Sequence, residues 1–257
     1  MGFTRTVATA LAAALAAPAW AVGGMVDVTV IDRSEGRSLQ VHWHEGRAWV
    51  VGKPGNEYQI VLRNQRGEDL LAVMSVDGVN VVSGETAHTQ QGGYVLSPWR
   101  GFEVKGWRKS LERTAAFYFT PLPDSYAART GRPDNVGVIG VALFQRKRVP
   151  PPASVAPIAR SAPTSADRAE AQGAARSEAQ APVLERDAKL GTGHGRSEAS
   201  LARRVEFERA SSTPAETIAI YYDSYRNLVA RGVIREPRPA PLAPNPFPGF
   251  VPDPPSG

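Results

Sequence analysis

Residues 70–83 read Leu-Leu-Ala-Val-Met-Ser-Val-Asp-Gly-Val-Asn-Val-Val-Ser, and this stretch decides the fold. Two β-rich runs meet at Asp77-Gly78, the residue pair that best tolerates the positive φ angles of a two-residue hairpin turn. A two-residue turn sets the register: Val76 faces Val79, Ser75 faces Asn80 and Met74 faces Val81. Ala72, Met74, Val76, Val79 and Val81 then share one side of the sheet, and Val73, Ser75, Asn80 and Val82 share the other. Both sides are largely apolar, which suits a hairpin inside a two-layer β structure.

Working outward, period-two patterns recur on both sides of the hairpin. Met25 to Ile31 reads as a first strand. Leu39, Val41 and Trp43 alternate with Gln40, His42 and His44, a half-buried strand that places Trp43 in the core. Glu45-Gly46 turns the chain into Ala48 to Val51, where Trp49 suits either face, and Tyr58, Ile60 and Leu62 restart the alternation. Downstream, Gly84 to Gly93 is a polar surface loop. Tyr94 to Leu96, Phe102 to Val104 and Ala115 to Thr120 are strands, and Pro121 to Asn135 is a long irregular connection. Val136 to Phe144 is uniformly apolar or glycine, the pattern of a strand covered on both faces. Short strands at this spacing predict an all-β, antiparallel β-sandwich of jelly-roll or immunoglobulin-like type over residues 22–148.

The remainder is organised by composition. Residues 149–187 are rich in Pro and Ala with almost no large apolar side chain, so they are expected to form a disordered linker. Order returns near Leu190. Within residues 188–235, Val205 to Arg209 and Thr217 to Tyr222 read as a β-hairpin, followed by a short helix over Ser224 to Arg231. Two strands and a helix are too little to stand alone, so this segment is expected to dock on the sandwich. Residues 236–257 form a Pro-rich, polyproline-like tail.

At the other end, Arg5, the apolar run Val7 to Ala17 and the Ala19-Trp20-Ala21 site predict a cleavable signal peptide over residues 1–21. The run is too short to span a bilayer, and no other stretch supplies the roughly 20 apolar residues a membrane span needs. The expected location is therefore the bacterial periplasm or the extracellular medium. The chain has no Cys, so its core must hold the fold without disulfides. Its formal charge of +5 becomes +4 once Arg5 is removed, and both signs are interspersed, which speaks against nucleic acid as a partner.

Several residue groups invite a chemical reading. His42 and His44 lie two apart on one strand face and are candidate metal ligands, provided His88 or His194 supplies a third; on a wet strand face they are otherwise simply solvated. Gly191-Thr192-Gly193-His194-Gly195 looks like a phosphate loop but does not follow a strand, so a surface turn is expected there. Trp99 and Trp107, with Arg108 and Lys109 beside them, are the candidate ligand-binding patch, because an aromatic pair beside cations can stack on sugars or hold an acidic partner. Asp124, Ser125, Asp134 and Asn135 crowd the 121–135 connection, where a hydrolase site could be built, although turn chemistry explains the same residues. Hydrogen bonding within the turn accounts for Ser75, Asp77 and Asn80.

Four runs carry a resemblance: Ser-Val-Asp-Gly-Val-Asn-Val-Val-Ser-Gly-Glu (75–85), Gly-Tyr-Val-Leu-Ser-Pro-Trp (93–99), Lys-Gly-Trp-Arg-Lys-Ser (105–110) and Ser-Tyr-Ala-Ala-Arg-Thr-Gly-Arg-Pro-Asp-Asn-Val-Gly-Val-Ile-Gly-Val-Ala (125–142). In these the chain resembles a family of uncharacterised exported bacterial proteins. The resemblance implies one recurring β-sandwich-like module and brings no activity, catalytic residue or cofactor with it. The expected function is a non-enzymatic module that binds or scaffolds an envelope protein or glycan. The alternatives are a metal-binding protein using His42 and His44, and a hydrolase using the 121–135 loop. A cluster of ionisable side chains walled off between the two layers would contradict a passive scaffold.

Overall fold

The Asp77-Gly78 turn forms with φ of +54° and +72°, and Ser75 pairs with Asn80 and Val76 with Val79. In this computed structural model, which describes residues 21–148 and 189–236, the hairpin lies in one of two seven-stranded sheets that enclose a shared core. The expected signal peptide, the 149–187 linker and the proline-rich tail beyond Glu236 lie outside the described residues.

The strands in chain order are β1 (Val26–Asp32), β2 (Arg37–Ser38), β3 (His42–His44), β4 (Arg47–Val51), β5 (Glu57–Asn64), β6 (Leu70–Val76) and β7 (Val79–Asn80). They continue with β8 (Tyr94–Leu96), β9 (Gly101–Val104), β10 (Gly106–Arg108), β11 (Arg113–Pro121), β12 (Val138–Gln145), β13 (Leu190–Ala199) and β14 (Glu216–Asp223). Among the described residues two short helices complete the list, α1 (Tyr126–Arg129) and α2 (Tyr225–Ala230). One sheet runs β10-β11-β5-β1-β2, with β13 on β11 and β9 on β5. The other runs β3-β4-β14-β12-β6-β7, with β8 on β6. Pairing is antiparallel except between β14 and β4, so the second sheet is mixed.

The two faces of the hairpin have different cover. Ala72, Met74, Val76, Val79 and Val81 join the main core between the sheets. Leu71 and Val73 turn the other way and form a second small core with Ala142 and Phe144. That outer core is roofed by Val95 and by Phe207, with the Arg209 guanidinium 4.1 Å from the Phe144 ring centre and that of Arg146 4.5 Å from Phe207. The second arm of the hairpin is shorter than the sequence suggests. After Asn80 the chain turns, because the Asn80 Oδ1 accepts from the amides of Val82 and Ser83.

The C-terminal segment docks, but by a different pairing from the one expected. In Val205 to Arg209 only Phe207 and Arg209 turn inward while Val205 is exposed, and an isolated bridge between Arg146 and Arg209 forms there in place of a strand. The strand that does form is β13, which contains Gly191-Thr192-Gly193-His194-Gly195 and pairs along β11. The expected surface turn is thus a strand, and its first four residues are buried. Glycine is needed at residue 193 because the Tyr118 ring packs flat on the backbone: a Cβ there would lie 2.1 Å from the ring. Strand β14 does not pair with β13. It enters the middle of the second sheet, antiparallel to β12 and parallel to β4. Residues 22–148 alone therefore form two sheets of which one lacks an internal strand.

The Pro121 to Asn135 connection is more regular than its composition implies. It contains a single 3-10 turn at Leu122–Asp124, then α1, then a second 3-10 turn at Pro133–Asn135.

Candidate functional site

Strands from both sheets converge on the Asp77 carboxylate. Because Asp77 occupies a positive-φ turn, its side chain is turned away from its own strand. Oδ1 accepts from the Gly137 amide at 2.8 Å and from the Tyr222 hydroxyl, and Oδ2 accepts from the Thr192 amide at 2.7 Å. The Thr192 Oγ1 lies 2.6 Å from both the Tyr222 and the Tyr58 hydroxyl oxygens. Each hydroxyl has one proton to give, and Tyr222 gives its proton to Asp77. Thr192 must then donate to Tyr222, and Tyr58 to Thr192, a one-way relay ending on the carboxylate.

All four side chains are fully buried. Burial pushes the Asp77 carboxyl up to about 6, against the opposing pull of the Tyr222 hydroxyl and the backbone amides. Burial, and then the nearby Asp77 charge, pushes the Tyr58 and Tyr222 hydroxyls well above the usual phenol range.

This cluster corrects two expectations. Asp77 is not satisfied within its turn, because its partners are 60, 115 and 145 residues away in sequence. The space between the layers also holds three ionisable side chains walled off from solvent, Tyr58, Asp77 and Tyr222, which overturns the expectation of a passive scaffold explained by period-two burial alone. The geometry is that of a clasp: every oxygen has a partner inside the protein, and the members line neither of the grooves described below. What makes a buried carboxyl catalytic is access to a substrate, and here the carboxylate instead joins β6, the start of β12, β13 and β14.

Asp223 makes a second, shallower clasp. Its Oδ1 accepts from the amides of Leu190 and Ser224 and from the Asn227 side chain, and its Oδ2 lies 3.5 Å from Arg231. Lys189 lies beside this group, and burial lowers its pKa.

The candidate ligand-binding residues are separated in space. Trp107 is 2% exposed, packed edge-on against Phe117, with Tyr126 and His194 beside it. Arg108 points its guanidinium at the Tyr94 hydroxyl and at the Ser200 carbonyl and hydroxyl, which makes it a tether for the chain beyond β13. Lys109 is exposed. Trp99 is 62% exposed and has φ of +58°, a backbone conformation strained for so bulky a residue. No paired aromatic platform forms from Trp99 and Trp107, because Gly106 to Arg108 pairs with β11 and carries Trp107 into the core.

His42 and His44 do share one side of β3, as the alternation requires. His44 lies 3.8 Å from Glu45, and partial burial lowers the pKa of His42. Among the described residues no three His, Cys, Asp or Glu side chains group as a metal site. In the 121–135 connection, Ser125 caps α1, donating to the Leu122 carbonyl and accepting from the Ala128 amide, while Asp124, Asp134 and Asn135 are exposed and do not converge.

The exposed aromatic that sequence reasoning placed elsewhere is Trp43. It pairs with Ala48 and so lies on the core-facing side of β3, but β3 is the margin of its sheet and Trp43 is 57% exposed. It lines a groove of about 430 Å³ with Val22, Gly23, Arg47 and residues 216–219 of β14. Gly46 of the β3–β4 turn, where Glu45 and Gly46 have φ of +50° and +72°, also lines it. The Arg47 guanidinium lies 5.3 Å above the Tyr221 ring and has no ion-pair or hydrogen-bond partner among the described residues. Glu216 also borders the groove, but its two carboxylate oxygens are taken up by the amides of Gly24 and Met25, each at 2.7 Å.

A second groove of about 620 Å³ runs past Asp32, Glu35, His42, Lys53 and Tyr225. Its carboxylates are held by neighbouring groups, although Arg226 also lines it. Glu35 is held below the usual carboxylate range by Arg37 and Lys53, and Asp32 accepts from the amides of Ser34 and Glu35 and from Asn56.

No family model, curated protein or solved structure matches this chain. Among the described residues no helix is long and apolar enough to cross a membrane.

Proposed function

We propose that this chain is an exported, non-enzymatic module that binds a component of the bacterial cell envelope, and that its contact surface is the groove beside Trp43. The observation that carries the reading is an indole exposed in a concave site next to a guanidinium with no acidic partner. It is the concave setting beside an unpaired cation, rather than exposure alone, that matters, since an indole there offers a large apolar face that gains from being covered. The Ala19-Trp20-Ala21 signal supports an exported role. The buried Asp77 cluster supports a rigid carrier of that surface, because it ties four separate strands to one carboxylate.

The test is a pull-down from envelope extract with the mature chain, residues 22–257, and with its Trp43→Ala variant. Retention of a component that the variant fails to retain is the expected result. Equal retention by both, with matching circular dichroism, would remove the groove from consideration.

A further inference from the structure

The groove beside Trp43 has a floor that no single side chain reveals. Strand β14 begins at Glu216, but its parallel pairing with β4 begins only at the Ile220–Ala48 pair. On that side only alternate residues face outward, and the Gly52 amide bonded to the Asp223 carbonyl fixes these as Thr217, Ala219, Tyr221 and Asp223. The Ile220–Ala48 pair takes the Ala219 carbonyl, so the N–H and C=O of Thr217 and the N–H of Ala219 have no strand partner among the described residues, while β12 covers the other side. Alternating backbone donors and acceptors are thereby presented at the bottom of a concave site.

Two kinds of ligand use an open strand edge, an extended peptide and a small hydroxyl-rich molecule. Length decides between them. Four residues span about 13 Å at roughly 3.3 Å per residue, and Gly46 of the β3–β4 turn lines the same groove. This edge is shorter than the five or six residues most common for a strand, whereas one or two sugar rings fit both this length and a volume of about 430 Å³. The walls agree. Trp43 provides a flat face on which a sugar ring stacks, and Arg47 provides a planar pair of N–H donors suited to a carboxylate.

We propose that the groove is a subsite for a carboxylate-bearing saccharide, with the sugar ring on Trp43, its carboxylate on Arg47 and its hydroxyls on the open edge of residues 216–219. This rests on the reading of the groove as the contact surface and adds the ligand class. Arg47 gives the site its charge preference as the cation with no acidic partner among the described residues; the Glu216 carboxylate keeps its charge but is turned onto the Gly24 and Met25 amides at the groove's border.

Trigalacturonic acid and neutral galactotriose serve as probes, titrated into the mature chain and followed by calorimetry. The acid should bind at least tenfold more tightly than the neutral trisaccharide. Arg47→Ala should remove that preference, Arg47→Lys should recover only part of it, and Trp43→Ala should abolish binding of both probes. Both side chains are exposed, so thermal melts of the variants should match the parent. Equal affinity for the two probes, or binding of the acid undiminished in Arg47→Ala, overturns the carboxylate assignment. No binding of either probe overturns the saccharide assignment; the groove reading fails separately, if Trp43→Ala still retains the envelope component.

Discussion

Titration of Asp77 gives the sharpest test of the buried clasp. Its carboxyl has a pKa of about 6 in the folded chain against 3.8 for an unperturbed aspartate, because burial penalises the charge more than its hydrogen bonds favour it. At about 1.4 kcal/mol for each tenfold change in proton affinity, the difference amounts to about 3 kcal/mol. The folded state holds this proton more tightly than the unfolded state does. The contribution is therefore fully present below pH 3.8 and is lost as pH rises through 6, with about 2 kcal/mol of the loss between pH 4.5 and 7.5. Glu35 and Glu57 have lowered pKa values and act in the opposite sense, losing stability as pH falls, so the total curve mixes both. Asp77→Asn isolates the term. The amide still accepts from Gly137 and Tyr222, but its NH₂ faces the Thr192 amide, a penalty that does not vary with pH. Urea unfolding followed by tryptophan fluorescence between pH 4.5 and 7.5 should show the parent's stability advantage over Asp77→Asn shrinking by about 2 kcal/mol as pH rises. A difference that stays flat, or grows with pH, refutes the claim that this carboxyl is ionised at a cost inside the folded chain.

Gly193→Ala should destabilise the protein by about 2 kcal/mol or more, since its methyl would lie 2.1 Å from the Tyr118 ring; Tyr118→Ala in the same chain should relieve most of the clash, as read by urea midpoints. A chain ending at Arg148 lacks β14, the strand between β12 and β4. It should show no cooperative thermal transition, and adding residues 189–236 as a separate peptide should restore one. Trp99→Asn should raise stability by about 0.5–1 kcal/mol, because asparagine tolerates the φ of +58° that strains tryptophan; a loss in chemical denaturation would show that the exposed indole contributes more packing than its 62% exposure suggests.

The buried oxygens of the Asp77 clasp are saturated, whereas the Arg47 guanidinium at the groove has no acidic partner among the described residues. That division is why the clasp is read as structural and the Trp43 groove as the contact surface. The proposed binding face also depends on the clasp indirectly. The same strand, β14, carries Tyr222 at one end and the open edge Glu216 to Ala219 at the other, so loosening the clasp should loosen the groove floor.

The sequence by itself determined what depends on neighbours in the chain. Period-two burial in Val26–Asp32 and Glu57–Asn64, and the Asp-Gly turn with its register, follow from backbone sterics and from which side of a pleat a residue occupies. Only the tertiary structure decided which strands became neighbours. Trp43 obeys its alternation and still faces solvent, because its strand lies at the margin of the sheet. The glycine-rich 191–195 stretch reads as a turn but becomes a strand, since the Tyr118 ring covers residue 193. Tyr58, Asp77, Thr192 and Tyr222 come from three strands and a turn and carry no shared local pattern. They meet because an aspartate carried inward by a tight turn must find its hydrogen bonds among whatever elements close over it.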